Sequence, residues 1–231
     1  MTLHYRFPES TALNRRLPKD ALYQRLNPSS ALRQLFINQV QEIIWRNKLS
    51  ADTMNIGTGG DYSELHVFDI ELKNGVAELD EQVLRAIDSL IVFPVLHRLT
   101  RKVGHNEQVQ YHLAHKAPTI ESAEKIKVGR YFSSGWLAQP EQQKLHDLPI
   151  ALNVTQLYRQ LLQPLLPLQF RMDESIDECM NRVEELNKQQ RQINKLQNQL
   201  LREKQFNRKI ELNRELSVLR QRLQMLKITN E

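Results

Sequence analysis

The chain has 231 residues, a formal net charge of +5, 6% aromatic residues and seven glycines. That length allows one domain of ordinary size plus an appendage, and the sparse aromatics and glycines suit a helix-rich protein better than an all-β one. Cys179 is the only cysteine, which excludes an internal disulfide and any zinc site built from several cysteines.

The opening stretch "MTLHYRFPESTALNRR" lacks the apolar core of a signal peptide, and no apolar run is long enough to span a bilayer. The expectation is a soluble, cytoplasmic protein with no membrane partner. Charge is unevenly spread. Residues 173–185 hold six acids against Arg182, whereas residues 186–227 hold eleven Lys or Arg against Glu203, Glu211 and Glu215.

In chain order, "ALNRRLPKDALYQRL" reads as a loop and a short helix, with Pro18 near its first turn. "NPSSALRQLFINQVQEIIWRNKL" reads as one longer helix. Ser29 or Ser30 caps it, and Leu32, Leu35, Phe36, Val40, Ile43 and Ile44 recur at helical spacing. "IGTGGDYS" is a turn-rich link into "ELHVFDIELK", a half-buried strand. "LDEQVLRAIDSL" reads as a helix capped near Asp80. "IVFPVLHRL" and "EQVQYHLAHK" read as strands joined around Gly104, and "KIKVGRYFSSGWL" as another strand.

Strand, helix, strand, strand indicates a small α/β domain with a mixed sheet. The fold class is therefore α+β: an N-terminal mixed-sheet α/β domain (1–139), a connector with a packing helix (140–172), and a long C-terminal coiled-coil arm (173–227). Unbroken helix from Asp173 to about Leu226 would run on the order of 80 Å at ~1.5 Å per residue.

Within that arm, Val183, Leu186, Gln190 and Ile193 form one seam, spaced three, four and three. Leu212, Leu216, Leu219, Leu223 and Leu226 form another, and the step from Leu201 to Leu212 is eleven residues. Exposed leucine seams predict self-association into a homo-oligomer through these positions. Phe206 and Ile210 point away from Leu201 and Leu212, so this stretch presents a second apolar face to a partner. Asn207 and Asn213 are candidates for fixing register through paired amides. Lys204, Arg208 and Lys209 around Phe206 are candidates for nucleic-acid contact.

"EKQFNRKIELNREL", "ALNRRLPKDALY" and "WRNKLSADTMNI" followed by "ELHVFDIELK" resemble, in order and over nearly the whole chain, the bacterial domain-of-unknown-function 4391 family. A departure is "DSLIVFPVLHRL", where the family reads closer to a Pro-His-Pro entry into the strand. The family supplies no activity and no catalytic residues. The resemblance implies a genomic setting beside DNA methyltransferases and helicases of restriction-like defence systems.

One enzyme pattern is present. Asp61, Glu71 and Lys73 have the order of a metal-dependent nuclease of the Asp…(Asp/Glu)-x-Lys type. There two carboxylates hold Mg²⁺ and the lysine orients the attacking water. Glu42, expected on the preceding helix, would add a fourth ligand. An exposed strand face ending Glu-Leu-Lys is the commoner meaning of the same letters. His112 and His115, three apart on a strand, fall on opposite faces and make a poor metal pair. His66 and His97 read as polar strand positions. "GTGG" lacks the Lys-Ser/Thr of a phosphate loop, and Ser133 and Ser134 have no nucleophile-elbow context.

The functional expectation is a non-enzymatic coupling or scaffold subunit of a DNA-defence assembly, without a cofactor, whose partners are a helicase and a DNA methyltransferase encoded nearby. The alternatives are the nuclease, which would need Mg²⁺, and a direct nucleic-acid-binding accessory protein.

Overall fold

Residues 40–49, which read as the second half of a helix, run instead within the β-strand Val40–Ser50, between two neighbouring strands. In the computed structural model, which describes residues 3–119 and 122–228, the chain forms two compact units, Met1–Leu165 and Leu166–Glu231.

The first unit begins with β1 (Tyr5–Arg6), β2 (Ala12–Arg16), α1 (Lys19–Leu26), α2 (Ser30–Gln39) and β3 (Val40–Ser50). It continues through α3 (Ala51–Met54), β4 (Glu64–Leu72), α4 (Glu81–Ser89), β5 (Val95–Val103), β6 (Asn106–Thr119) and β7 (Ser122–Ser133). It ends with β8 (Leu137–Ala138), β9 (His146–Asp147) and α5 (Val154–Leu162). The main sheet has the order β2-β3-β4-β5-β6-β7, with β8 beside β6; β1 and β9 make a separate two-stranded pair. All neighbours in the main sheet are antiparallel except β4 and β5, which are parallel and joined through α4. The mixed sheet is as the strand-helix-strand-strand order implied.

The misread helix has a physical cause. Ser29 does cap α2, its Oγ accepting from Leu32 N at 3.2 Å. The chain then turns extended at Val40, whose β-branched and aromatic successors Ile43, Ile44 and Trp45 favour a pleated surface. Bulges between Val40 and Glu42 and between Trp45 and Asn47 interrupt the alternation of the strand. Burial then falls on Val40, Ile43, Asn47 and Leu49, a spacing that imitates a helix. β3 lies between β2 and β4 and pairs with both, so its backbone groups are satisfied by neighbours rather than along its own axis. For the same reason "ALNRR", read as loop, is the edge strand β2.

Helices α1, α2 and α4 contribute to one core with the strands: Phe36 and Ile87 meet Ile43, Phe68, Ile70 and Leu99. α4 forms where expected, with Asp80 Oδ1 accepting from Gln82 N at 2.9 Å. β4 is buried on both faces along Leu65–Phe68 rather than half-buried: Phe68 and Ile70 enter the core built with α1, α2 and α4, and α5 also packs against the strand. α5 lies against β4's unit with Tyr158 fully buried and its hydroxyl donating to Ala114 O at 3.2 Å.

The second unit contains α6 (Ile176–Arg202) and α7 (Phe206–Lys227). The continuous rod from Asp173 to Leu226 is not formed. Glu203–Gln205 leave the helix, and the chain reverses into an antiparallel pair. Arg182, in the second turn of α6, donates to Leu226 O at the far end of α7, which fixes that orientation.

Candidate partner-docking site

The opening of the hairpin is made by one carboxylate. Glu203 adopts extended backbone angles, and its Oε1 accepts from the amides of Lys204 at 2.8 Å and Gln205 at 2.9 Å. This satisfies amides that a continuous helix would have bonded along its axis. α7 restarts at Phe206, with Lys209 N bonded to Gln205 O. The eleven-residue step from Leu201 to Leu212 therefore spans a turn between two helices.

The base of the hairpin is held by a buried ion pair. Arg182 Nη2 lies 2.7 Å from Glu174 Oε2, and the side chains are 5% and 8% exposed. The same guanidinium donates to Leu226 O at 2.8 Å and to Gln169 O at 2.6 Å. Arg171 donates to Met225 O at 3.1 Å and Ile228 O at 3.2 Å. Two cations thus serve the carbonyl end of α7, where unpaired carbonyls and the negative end of the helix dipole favour them. At the other end of the charge pattern, Ser175 and Glu178 form a reciprocal capping box at the start of α6.

Most of the leucine seam lies inside this unit. Val183, Leu186 and Ile193 on α6 and Leu212, Leu216 and Leu223 on α7 are buried, and Leu219 and Leu226 are partly so. Their burial requires no second copy. Leu201 does not belong to the seam, being 83% exposed beside the turn.

The opposite side of α7 is what the seam leaves over. Phe206 is 75% exposed, Val218 47%, Met225 67% and Ile210 37%. At ~100° per residue Ile210, Val218 and Met225 lie roughly opposite Leu212, Leu216 and Leu223, Phe206 sits about a quarter turn from them, and the exposed Arg214 and Gln221 share the outer side. Apolar side chains therefore occur on both sides of α7, although Leu201, expected opposite Phe206 and Ile210, is itself exposed. Asn207 and Asn213 are exposed and outside the seam. Lys204, Arg208 and Lys209 are exposed as well, with Arg208 paired to Glu211. The outer side of α6 carries Asp177, Asn181, Glu184, Lys188, Arg191 and Lys195, all exposed and none apolar.

The nuclease letters are not brought together. Asp61 lies in the loop before β4, whereas Glu71 is at the other end of that strand. Extended chain from Glu64 to Glu71 alone spans about 23 Å at ~3.3 Å per residue. Glu42 is on β3, not on a helix, and it is the cross-strand neighbour of Glu71. Arg16 pairs with Glu42 at 2.8 Å. Lys73 lies past the end of β4, its amide donating to Gln39 O at 2.9 Å. Among the described residues no group of three or more His, Cys, Asp or Glu could hold a metal ion.

A polar cluster that sequence reasoning missed lies under α4. Asp88, at its last turn, is 2.9 Å from Lys116 Nζ and 3.2 Å from His97 Nε2, and its Oδ2 accepts from the Tyr131 hydroxyl. Lys116 Nζ also donates to the carbonyls of Asp88, Ile91 and Phe93 at 3.1, 2.8 and 2.8 Å. A bulge between Ala114 and Lys116 interrupts β6 beside this lysine. Burial opposes ionisation of Asp88, but His97, Lys116 and Tyr131 outweigh it and hold its pKa below the usual value. Burial lowers Lys116, partly offset by Asp88, and burial followed by Asp88 raises Tyr131. The available signal was an aspartate next to Ile87 on the apolar side of α4. His66 and His97 are strand residues, as read, and both are buried. His66 stacks on Trp45 at 5.0 Å between ring centroids.

No helix among the described residues is long and apolar enough to cross a membrane. No curated protein and no solved structure matches the chain. The model of a family described as a domain of unknown function, DUF4391, matches residues 6–223, nearly the whole length, and the chain belongs to that family.

Proposed function

We propose that the protein is a non-enzymatic coupling subunit of a bacterial DNA-defence assembly, with α7 as its docking element. The observation that carries this reading is the outer side of α7. Phe206, Ile210, Val218 and Met225 stand exposed on a helix whose other side is already occupied by α6. Exposed aliphatic and aromatic side chains repeated along one helix face mark an interaction surface, whereas scattered single ones do not. The defence setting comes from the genomic surroundings that the family resemblance implies, and the partners on this reading are the helicase and DNA methyltransferase encoded nearby.

The Mg²⁺-dependent nuclease is less well supported, because β4 holds Asp61 and Glu71 apart. Direct nucleic-acid binding through Lys204, Arg208 and Lys209 ranks third, since Glu211 already engages Arg208. With Leu212, Leu216 and Leu223 buried inside the hairpin, self-association on this reading uses another surface.

The test is co-expression with the products of neighbouring genes and isolation of the complex. Ile210→Asp with Val218→Asp is expected to abolish complex formation while leaving the helical signal intact. A complex that survives both substitutions removes α7's outer side from the proposal.

A further inference from the structure

The charges that border the outer side of α7 are unequal. On one flank, helical geometry places Lys209, Arg220 and Lys227 in line, with Asn213 and Gln224 near them and no acid. On the other flank it places Arg208, Glu211, Glu215 and Arg222, where Arg208 and Glu211 already pair. All of these residues are exposed. Between the flanks, Phe206, Ile210, Val218 and Met225 are spread over about 29 Å at ~1.5 Å per residue, roughly five turns, with the exposed Arg214, Ser217 and Gln221 lying among them and Arg214 adding a further cation at the centre.

A second copy of α7 is a poor occupant. Antiparallel, twofold-related packing sets each flank against its own equivalent. Lys209, Arg220 and Lys227 would then face Lys227, Arg220 and Lys209 with nothing to neutralise them. Parallel packing sets the basic flank against one that holds Arg208 and Arg222 as well as Glu211 and Glu215, which gives no net complementarity. The outer side of α6 is no better, since it has no apolar row to offer. Like charges along a helix-helix border act against a pairing, and opposite charges select partner and orientation.

From this we infer that the occupant is an amphipathic helix of a different protein, about 20 residues long, with an apolar stripe and an acidic flank lying along Lys209, Arg220 and Lys227. The inference rests on the coupling role of α7 and adds the chemistry of what it couples to. The basic flank sets the direction in which the partner helix lies, while the apolar row supplies the contact area. Nucleic acid is a different occupant: it would use the same cations but would leave Ile210, Val218 and Met225 uncovered.

The test uses the full-length chain and two synthetic helical peptides read by fluorescence anisotropy. Both carry the same leucine stripe; one has glutamate on its flanks, the other lysine. The glutamate peptide is expected to bind roughly tenfold or more tightly than the lysine peptide, with the difference shrinking as salt is raised. The triple variant Lys209→Glu, Arg220→Glu, Lys227→Glu should invert that preference. Its substitutions are on exposed positions, and circular dichroism checks that the helices persist. Equal binding of both peptides, binding of neither, or a preference unmoved by the triple variant overturns the acidic-helix inference. So does a mass that grows with concentration and falls back in Ile210→Asp, since the occupant is then a second copy. A complex with a neighbouring gene product that is lost in Ile210→Asp but unaffected by the triple variant keeps the coupling role and rejects the acidic helix.

Discussion

Lys116 Nζ lies 2.9 Å from Asp88 Oδ1, and the two side chains are 2% and 1% exposed. The lysine joins β6 to the last turn of α4 and to the loop that leads into β5, through the carbonyls of Asp88, Ile91 and Phe93. A buried pair of this kind need not stabilise the fold relative to an apolar alternative, but removing one partner strands the other charge. Lys116→Met is therefore expected to lower the unfolding free energy by about 3–5 kcal/mol. A urea titration followed by circular dichroism reads this directly. A loss below ~1 kcal/mol would mean that Asp88 finds water or a proton without cost.

Acid should loosen the same domain. Burial, then His97, pushes His112 down to about 4, and burial lowers His66 against the opposing pull of Glu64. An unfolded imidazole titrates near ~6.5. Between about 6.5 and about 4 the unfolded chain takes up protons that the folded chain refuses. Stability is thus complete above ~6.5 and falls as the pH drops toward 4. Asp88, held below the ordinary carboxylate value, adds a loss of the same sign at still lower pH. Melting temperatures across a buffer series should be level above ~pH 7 and decline below ~6.5, with a shallower decline in His112→Leu.

At the base of the hairpin, Arg182 serves Glu174 and two carbonyls at once. Arg182→Ala should cost about 3–5 kcal/mol, because Glu174 is then buried without its cation. Arg182→Lys should recover only part of this, since an ammonium cannot reproduce the planar fork of donors. Hydrogen exchange of the amides in residues 220–227 is the measurement. Protection there that is unchanged in Arg182→Ala would show that the seam alone holds α7 in place.

The two faces of α7 should fail differently. Leu212→Ala and Leu216→Ala, at side chains 2% exposed, are each expected to cost roughly 2–5 kcal/mol and to unravel the hairpin. Phe206→Ala with Ile210→Ala should leave the melt nearly unchanged and weaken only the complex with a partner. Thermal melts and partner capture on both sets decide it. Equal damage to folding by both sets would make α7 a helix with one function, packing.

Glu71 and Lys73 are expected to be dispensable. Their replacement by Ala should leave protection of the host against phage intact, provided the protein stays abundant. Loss of protection with the fold preserved would restore the nuclease reading in spite of the distance between Asp61 and Glu71.

The arrangement of α4, β5 and β6 was legible from the chain because each is defined locally. Asp80 caps, Val83, Leu84 and Ile87 recur at helical spacing, and Gly104 takes the positive φ of 62° that the turn between strands requires. That Phe206 and Ile210 turn away from Leu212 was legible too, since spacing on a helix states which residues share a side, whereas Leu201, read as part of the seam, is exposed. What sequence could not decide was whatever depends on a distant neighbour. Val40–Ser50 became a strand because β2 and β4 lie on either side of it and two bulges disguised its alternation. The 203–205 turn has no Gly or Pro to announce it, and it exists because folding back lets Leu212, Leu216 and Leu223 be buried within the hairpin. Asp88 and Lys116 are 28 positions apart, and nothing in the chain shows that they meet. Local propensity and spacing determine which elements form, but only the tertiary structure decides which charges are shut away from water, because desolvation is a property of the packed whole.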